Sequence, residues 1–197
     1  MPATVAIIGA GPLGRWLALA ASRAGFPVLL EDVMPNNLHH AQEYLRLQLN
    51  PQALGQEALA GMAFVSTIED AVRQADLVID CVPDELESKL EILWLLDRMA
   101  PPRTVFATPT TRLSIADLAH CTYRPEKCIA IAAEASSLTG KPAGALGSGQ
   151  PAGSQGAEIL LRTTPRTAPG TVALLRDFWQ RLGFTPTFEL EPTGGPG

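Results

Sequence analysis

A glycine-rich turn between an apolar run and a helix-like stretch constrains this chain more than any other feature. Val5-Ala6-Ile7-Ile8 leads into Gly9-Ala10-Gly11-Pro12-Leu13-Gly14, after which Leu13, Trp16, Leu17 and Ala20 recur at helical spacing. Strand, GxGxxG and helix in that order form a dinucleotide-binding fingerprint. Gly9 serves the tight turn out of the strand, Gly11 lets a pyrophosphate approach bare backbone, and Gly14 lets helix and strand pack closely. Pro12 suits the first helical position, and the helix that it opens would aim unpaired N–H groups at phosphates, with Leu13 in its first turn. A second apolar run, Val28-Leu29-Leu30-Glu31, ends in Asp32. A carboxylate there can accept from both hydroxyls of an adenosine ribose and repels a 2′-phosphate, so the expected cofactor is NAD rather than NADP. The spacing makes Trp16 a core residue and not a stacking platform.

Composition narrows the function classes. The 197 residues suffice for one sizeable core, or for one domain plus a small appendage, rather than pointing to two full domains. With 46% hydrophobic and 18% charged residues and no apolar stretch long enough to cross a bilayer, a soluble protein is expected, with no membrane partner. Met1-Pro2-Ala3-Thr4 runs straight into the first strand without a signal-peptide pattern, which points to the cytoplasm. A net charge of −5 argues against a nucleic-acid partner. Cys81, Cys121 and Cys128 lack metal-ligand spacing, and Cys81 reads as a small buried hydrophobe, so neither a metal site nor a disulfide framework is expected. His39 and His40 have no partner at ligand spacing and read as solvated.

Along the chain the patterns predict helices over 12–24, from 37 to the Asn50-Pro51 break, within 52–60, over 83–99, over 114–119 with Ser114 as cap, and over 169–182. A short helix capped by Ser66 or Thr67 runs to Arg73. Strands are predicted over 64–67, 77–82, 104–107, 128–132, 157–161 and 185–190, in addition to the first two. The stretch 136–156, rich in Gly, Pro and Ser, is expected to be a mobile loop. This alternation is that of an α/β fold, a Rossmann-type doubly wound, mostly parallel sheet: a single NAD-binding domain over 1–190, with a disordered tail over 191–197. Gly11 and Asp84 would both sit at carboxyl ends of strands and face one crevice.

Three stretches then resemble a known family. The glycine fingerprint with Asp32 is the first; Ala75-Asp76-Leu77-Val78-Ile79-Asp80-Cys81-Val82-Pro83-Asp84-Glu85-Leu86-Glu87-Ser88-Lys89 is the second; Ala107-Thr108-Pro109-Thr110-Thr111-Arg112-Leu113-Ser114-Ile115, followed by Arg124-Pro125-Glu126-Lys127, is the third. Together they are similar to the NAD-binding domain of the 3-hydroxyacyl-CoA dehydrogenases, from Val5 to about Leu190. The resemblance implies that Val82, Asp84 and Lys89 lie on the nicotinamide side of the cofactor. The competing reading is that Asp84 caps the following helix and Lys89 is solvated.

The resemblance also implies a catalytic set that this chain retains only in part. Catalysis in the family rests on a histidine general base oriented by a glutamate, with serine and asparagine residues holding the substrate. Here Ala132 stands at the histidine position, Ala135 and Pro109 replace asparagines, Thr111 keeps a hydroxyl, and Glu158 matches the orienting glutamate. The family's helical C-terminal domain, which closes the acyl-CoA cleft, has no counterpart in this sequence. Two readings stay open: an NAD(H)-binding module without the family's His-Glu chemistry, or an active dehydrogenase of fatty acid metabolism. The second would need a replacement base, either Glu134, on the face of Ala132 by the period-two rule, or His120, or else a partner subunit. An acyl-CoA-like ligand, and self-association or a partner covering the face left by the absent domain, are implied in the same way.

Overall fold

The computed structural model describes residues 2–49, 59–133, 138–139 and 157–191. Its strands are β1 (Val5–Ile8), β2 (Val28–Glu31), β3 (Met62–Val65), β4 (Leu77–Asp80), β5 (Val105–Pro109), β6 (Cys128–Ile131), β7 (Ala157–Thr163) and β8 (Phe184–Leu190). The helices between them are α1 (Pro12–Arg23), α2 (Pro35–Gln48), α3 (Ile68–Val72), α4 (Leu86–Met99), α5 (Ile115–Ala119) and α6 (Pro169–Arg181), with a 3-10 turn at Pro125–Lys127. The eight strands form one sheet in the order β3-β2-β1-β4-β5-β6-β7-β8. Neighbours are parallel except β6 and β7, which are antiparallel.

Alternate residues of the strands feed two separate cores. Val5 and Ile7, Val28 and Leu30, Leu77 and Ile79, and Ile129 and Ile131 pack with Trp16, Leu17 and Ala20 of α1, Ala41 and Leu45 of α2, and Phe178 and Trp179 of α6. Ala6 and Ile8, Val78, Phe106 and Ala130 pack on the opposite face with α3, α4 and α5. Because both faces are covered, β1 and β4 read as continuous apolar runs rather than as alternating ones. Their carboxyl ends, with those of β2 and β5, lie at one edge of the sheet, and the strand order reverses between β1 and β4, the switch point whose crevice takes ligands in sheets of this kind.

The doubly wound, mostly parallel sheet is therefore as expected, and the differences lie at element ends. Helix α2 starts at Pro35, not at Asn37, because Met34 is extended as its N-cap and proline suits the first turn. Helix α4 starts at Leu86, since Asp80 ends β4 and residues 81–85 form the crevice turn. Strand β5 runs on to Pro109, paired with Ile131 of β6. Thr67 and Ser114 do cap their short helices, accepting from the backbone N–H groups of Asp70 and Asp117. Most of the helix expected over 52–60, the loop over 136–156 apart from Leu138 and Thr139, and residues 192–197 lie outside the described residues. Glu191, assigned to the tail from sequence, is not free. Its carboxylate accepts from Ser114 Oγ and from the N–H groups of Ile115 and Ala116, closing the N-terminus of α5.

Candidate cofactor site

The glycine turn is shaped by two close approaches and one opening. Gly9 takes a φ of 102°, a conformation that L side chains rarely adopt, and donates to the carbonyl of Glu31 at 2.8 Å. A Cβ on Gly14 would stand 1.8 Å from the Gly9 carbonyl oxygen, so only glycine lets α1 lie this close to the strand end. At Gly11 a Cβ would meet nothing within 4 Å: the backbone there borders open space. Gly11 is the N-cap of α1 and has no side chain to serve the first N–H groups. Pro12, at the first helical position, has no N–H, and Leu13 turns its side chain into the core. The residues present thus leave bare N–H groups facing a space of the kind that a pyrophosphate fills.

Asp32 lies just beyond β2 with its carboxylate fully engaged. Oδ2 accepts from Ala10 N at 2.9 Å and Oδ1 from Met34 N at 2.8 Å, while Asn37 Nδ2 stands 3.1 Å from each oxygen. The preceding residue, Glu31, is 5% exposed between Ile8 and Val65 on the neighbouring strands. Burial pushes its carboxyl up to about 7, and the charge of Asp32 adds to the effect. The sequence marked Asp32 by its spacing from the glycines; nothing marked Asn37, five residues on in the first turn of α2.

On the other side of the crevice, the Asp84 carboxylate accepts from Thr111 N at 3.3 Å, and Arg112 donates to the Asp84 carbonyl at 3.0 Å. The turns after β4 and β5 are thereby joined, bringing together two of the residues singled out from sequence. The other Asp84 oxygen, Oδ1, is buried and has no protein partner among the described residues. Asp84 does not cap α4, whose N-cap is Glu85 without a side-chain bond. Nor is Lys89 solvated: it is 0% exposed, and its ammonium donates to Asp80 Oδ1 at 2.6 Å. Burial pushes the Asp80 carboxyl up, opposed by the Lys89 charge and hydrogen bond and by the Thr108 hydroxyl beside it. Val82 is half-buried against the α3–α4–α5 core. The one signal for Asp80 was a lone acid at the end of an apolar run.

Ala132 and Glu158, the positions that the resemblance marks as catalytic, lie on adjacent strands. Ala132 follows β6 and donates its N–H to the Leu160 carbonyl of β7 at 2.8 Å. Glu158 is exposed near the start of β7, opposite Thr185 of β8. His120 ends α5 and is exposed, and Glu134 lies outside the described residues. Burial holds the Cys128 thiol up at about 12 and pushes that of Cys81 up as well, so neither is primed as a nucleophile. Among the described residues no cluster of His, Cys, Asp or Glu could hold a metal ion, and no helix is long and apolar enough to cross a membrane.

Comparison with known proteins supplies the family. The model described as "3-hydroxyacyl-CoA dehydrogenase, NAD binding domain" matches residues 4–132. The chain is 31% identical over 133 residues to a probable 3-hydroxybutyryl-CoA dehydrogenase of Bacillus subtilis, covering 64% of this chain and 46% of that protein. It is 30% identical over 188 residues to the 5-formyl-3-hydroxy-2-methylpyridine 4-carboxylate 5-dehydrogenase of Mesorhizobium japonicum, covering 92% and 55%. The chain thus spans about half the length of each of these relatives. The crystal structure of 3-hydroxybutyryl-CoA dehydrogenase from Escherichia coli K12 shares the fold with a TM-score of 0.80 at 24% identity, covering 96% of this chain and 38% of that one.

Proposed function

Since the chain belongs to the 3-hydroxyacyl-CoA dehydrogenase family through its NAD-binding domain, we propose that it holds NAD(H) in the β1–β4 crevice without the family's histidine-based turnover. Gly9, Gly11 and Gly14 would admit the pyrophosphate to the N-terminus of α1, past Pro12 and Leu13. Asp32 would take the adenosine ribose hydroxyls. Asp84, with an unpartnered buried oxygen, suits a hydroxyl donor of the second ribose, beside Val82 and the Lys89–Asp80 pair. When bound, the nicotinamide would supply a hydride donor or acceptor. A hydroxyl substrate would also need a base for its proton, and the observation that carries the reading is Ala132 at the histidine position, which leaves Glu158 no imidazole to orient.

A second reading is an active oxidoreductase of the same family, using Glu134 or His120 as base or a partner subunit to complete the cleft. It is favoured by the retained Thr111 and Glu158, and by similarity to the Mesorhizobium dehydrogenase over 92% of the chain, beyond the Ala132 position. That second reading takes in an acyl-CoA-like ligand and a role in fatty acid metabolism, both implied by the family resemblance, and either reading goes with a cytoplasmic location.

NADH fluorescence titration, paired with NADH oxidation by acetoacetyl-CoA, separates the two. Binding that Asp32→Ala and Gly11→Val each weaken at least tenfold, with no oxidation, is the outcome expected. Turnover that disappears in Glu134→Gln would instead establish the enzyme. A chain that does not bind NADH would end both readings.

A further inference from the structure

We propose that Asn37 sets the affinity of the adenosine ribose site by occupying, in the free protein, the acceptor positions on Asp32 that the ribose diol takes. The inference rests on the NAD(H) reading above and adds to it a residue outside the glycine fingerprint. A carboxylate offers about four lone-pair positions to donors. On Asp32 all four are used: each oxygen has one backbone N–H, from Met34 on Oδ1 and from Ala10 on Oδ2, and each also has Asn37 Nδ2 at 3.1 Å.

The four donors are not equally movable. Ala10 N belongs to the glycine turn and Met34 N to the N-cap of α2, so neither can leave without rebuilding the backbone. Asn37 is exposed, and its amide hangs from a side chain on the first turn of α2. Its nitrogen is 3.1 Å from each carboxylate oxygen, on the bisector that runs out between them. A vicinal diol donating one hydrogen bond to each oxygen straddles that same bisector. The ribose therefore competes with the Asn37 amide and leaves the backbone donors in place. Asn37 orients the acid before the cofactor arrives and opposes the cofactor when it does.

Removing the amide should tighten binding by roughly the net worth of one exchanged hydrogen bond, about three- to tenfold. Asn37→Ala and Asn37→Ser, both compatible with an exposed helical position, are titrated with NADH beside the parent chain, and thermal melting confirms that they are folded. ADP and 2′-deoxy-ADP serve as further probes, since the second lacks one of the competing hydroxyls. Tighter NADH binding in both variants, with a larger gain for ADP than for 2′-deoxy-ADP, is the expected result. Unchanged or weaker NADH binding, or equal gains for the two diphosphates, would overturn the role of Asn37 while leaving the cofactor reading intact. A parent chain that fails to bind NADH would overturn the cofactor reading, and this role of Asn37 with it.

Discussion

Glu31 shows how much burial at a strand end can change a side chain, with a charged neighbour adding to the effect. It closes β2 with its carboxyl buried, one residue before the charged Asp32, and its pKa is raised from 4.5 to about 7. The folded chain thus holds this proton more tightly than the unfolded chain does. The associated stability is fully present below pH 4.5 and is lost as pH rises through about 7. A shift of this kind is worth on the order of 3 kcal/mol at most. Glu31→Gln should therefore match the parent in melting temperature at pH 4.5 and exceed it by several degrees at pH 8. A difference between the two proteins that is the same at both pH values would show that the Glu31 proton does not contribute. From sequence Glu31 was only the last letter of an apolar run; its burial depends on Ile8 and Val65, supplied by β1 and β3.

At the scale of elements, β4 and α4 are joined by a buried ion pair rather than by a helix cap. Asp80 and Lys89 have side chains 1% and 0% exposed, so the loss of either partner strands a charge in the core. Lys89→Met should cost about 3–5 kcal/mol of stability in a denaturant melt, and Lys89→Met with Asp80→Asn should recover most of it. Equal losses in the single and the double variant would mean that the pair does not couple these elements. The family resemblance put Lys89 on the nicotinamide side of the cofactor, and it sits one turn beyond the 81–85 loop that carries Asp84. Its ammonium is spent on Asp80, an acid that drew no attention in the sequence because the apolar run around it was so clear. Helical spacing made Trp16 core, and the structure agrees, with Trp16 edge-on to Phe184 of β8 at 6.0 Å.

Over the whole molecule, the last described residue fastens the second half of the fold. Glu191 follows β8 yet holds three donors at the start of α5, and Arg162 of β7 lies 3.7 Å from it. Arg162 also donates to the Thr110 carbonyl at 2.7 Å, so β5, α5, β7 and the end of β8 meet in one cluster beside the crevice. Glu191→Ala should lower stability by about 1–2 kcal/mol through the lost cap. It should also speed amide hydrogen exchange at Ile115 and Ala116 without changing exchange in β1 or α1. Exchange unaltered at those two amides would remove the clamp from the account.

What the sequence settled by itself was whatever repeats locally. The glycine turn between strand and helix, the acid that ends β2, the continuous apolar runs of a doubly covered sheet and the helix caps at Thr67 and Ser114 depend on residues only a few positions apart. Hence the fold class, the family and its NAD cofactor were legible before any coordinates. Tertiary structure alone decided which polar groups share a partner. Lys89 reaches Asp80 because α4 packs on the face of β4; Glu191 reaches Ala116, 75 positions earlier, because β8 ends beside α5. Such partners are brought together by crossovers between strands, and burial makes their pairing obligatory, yet neither leaves a periodic trace in the chain.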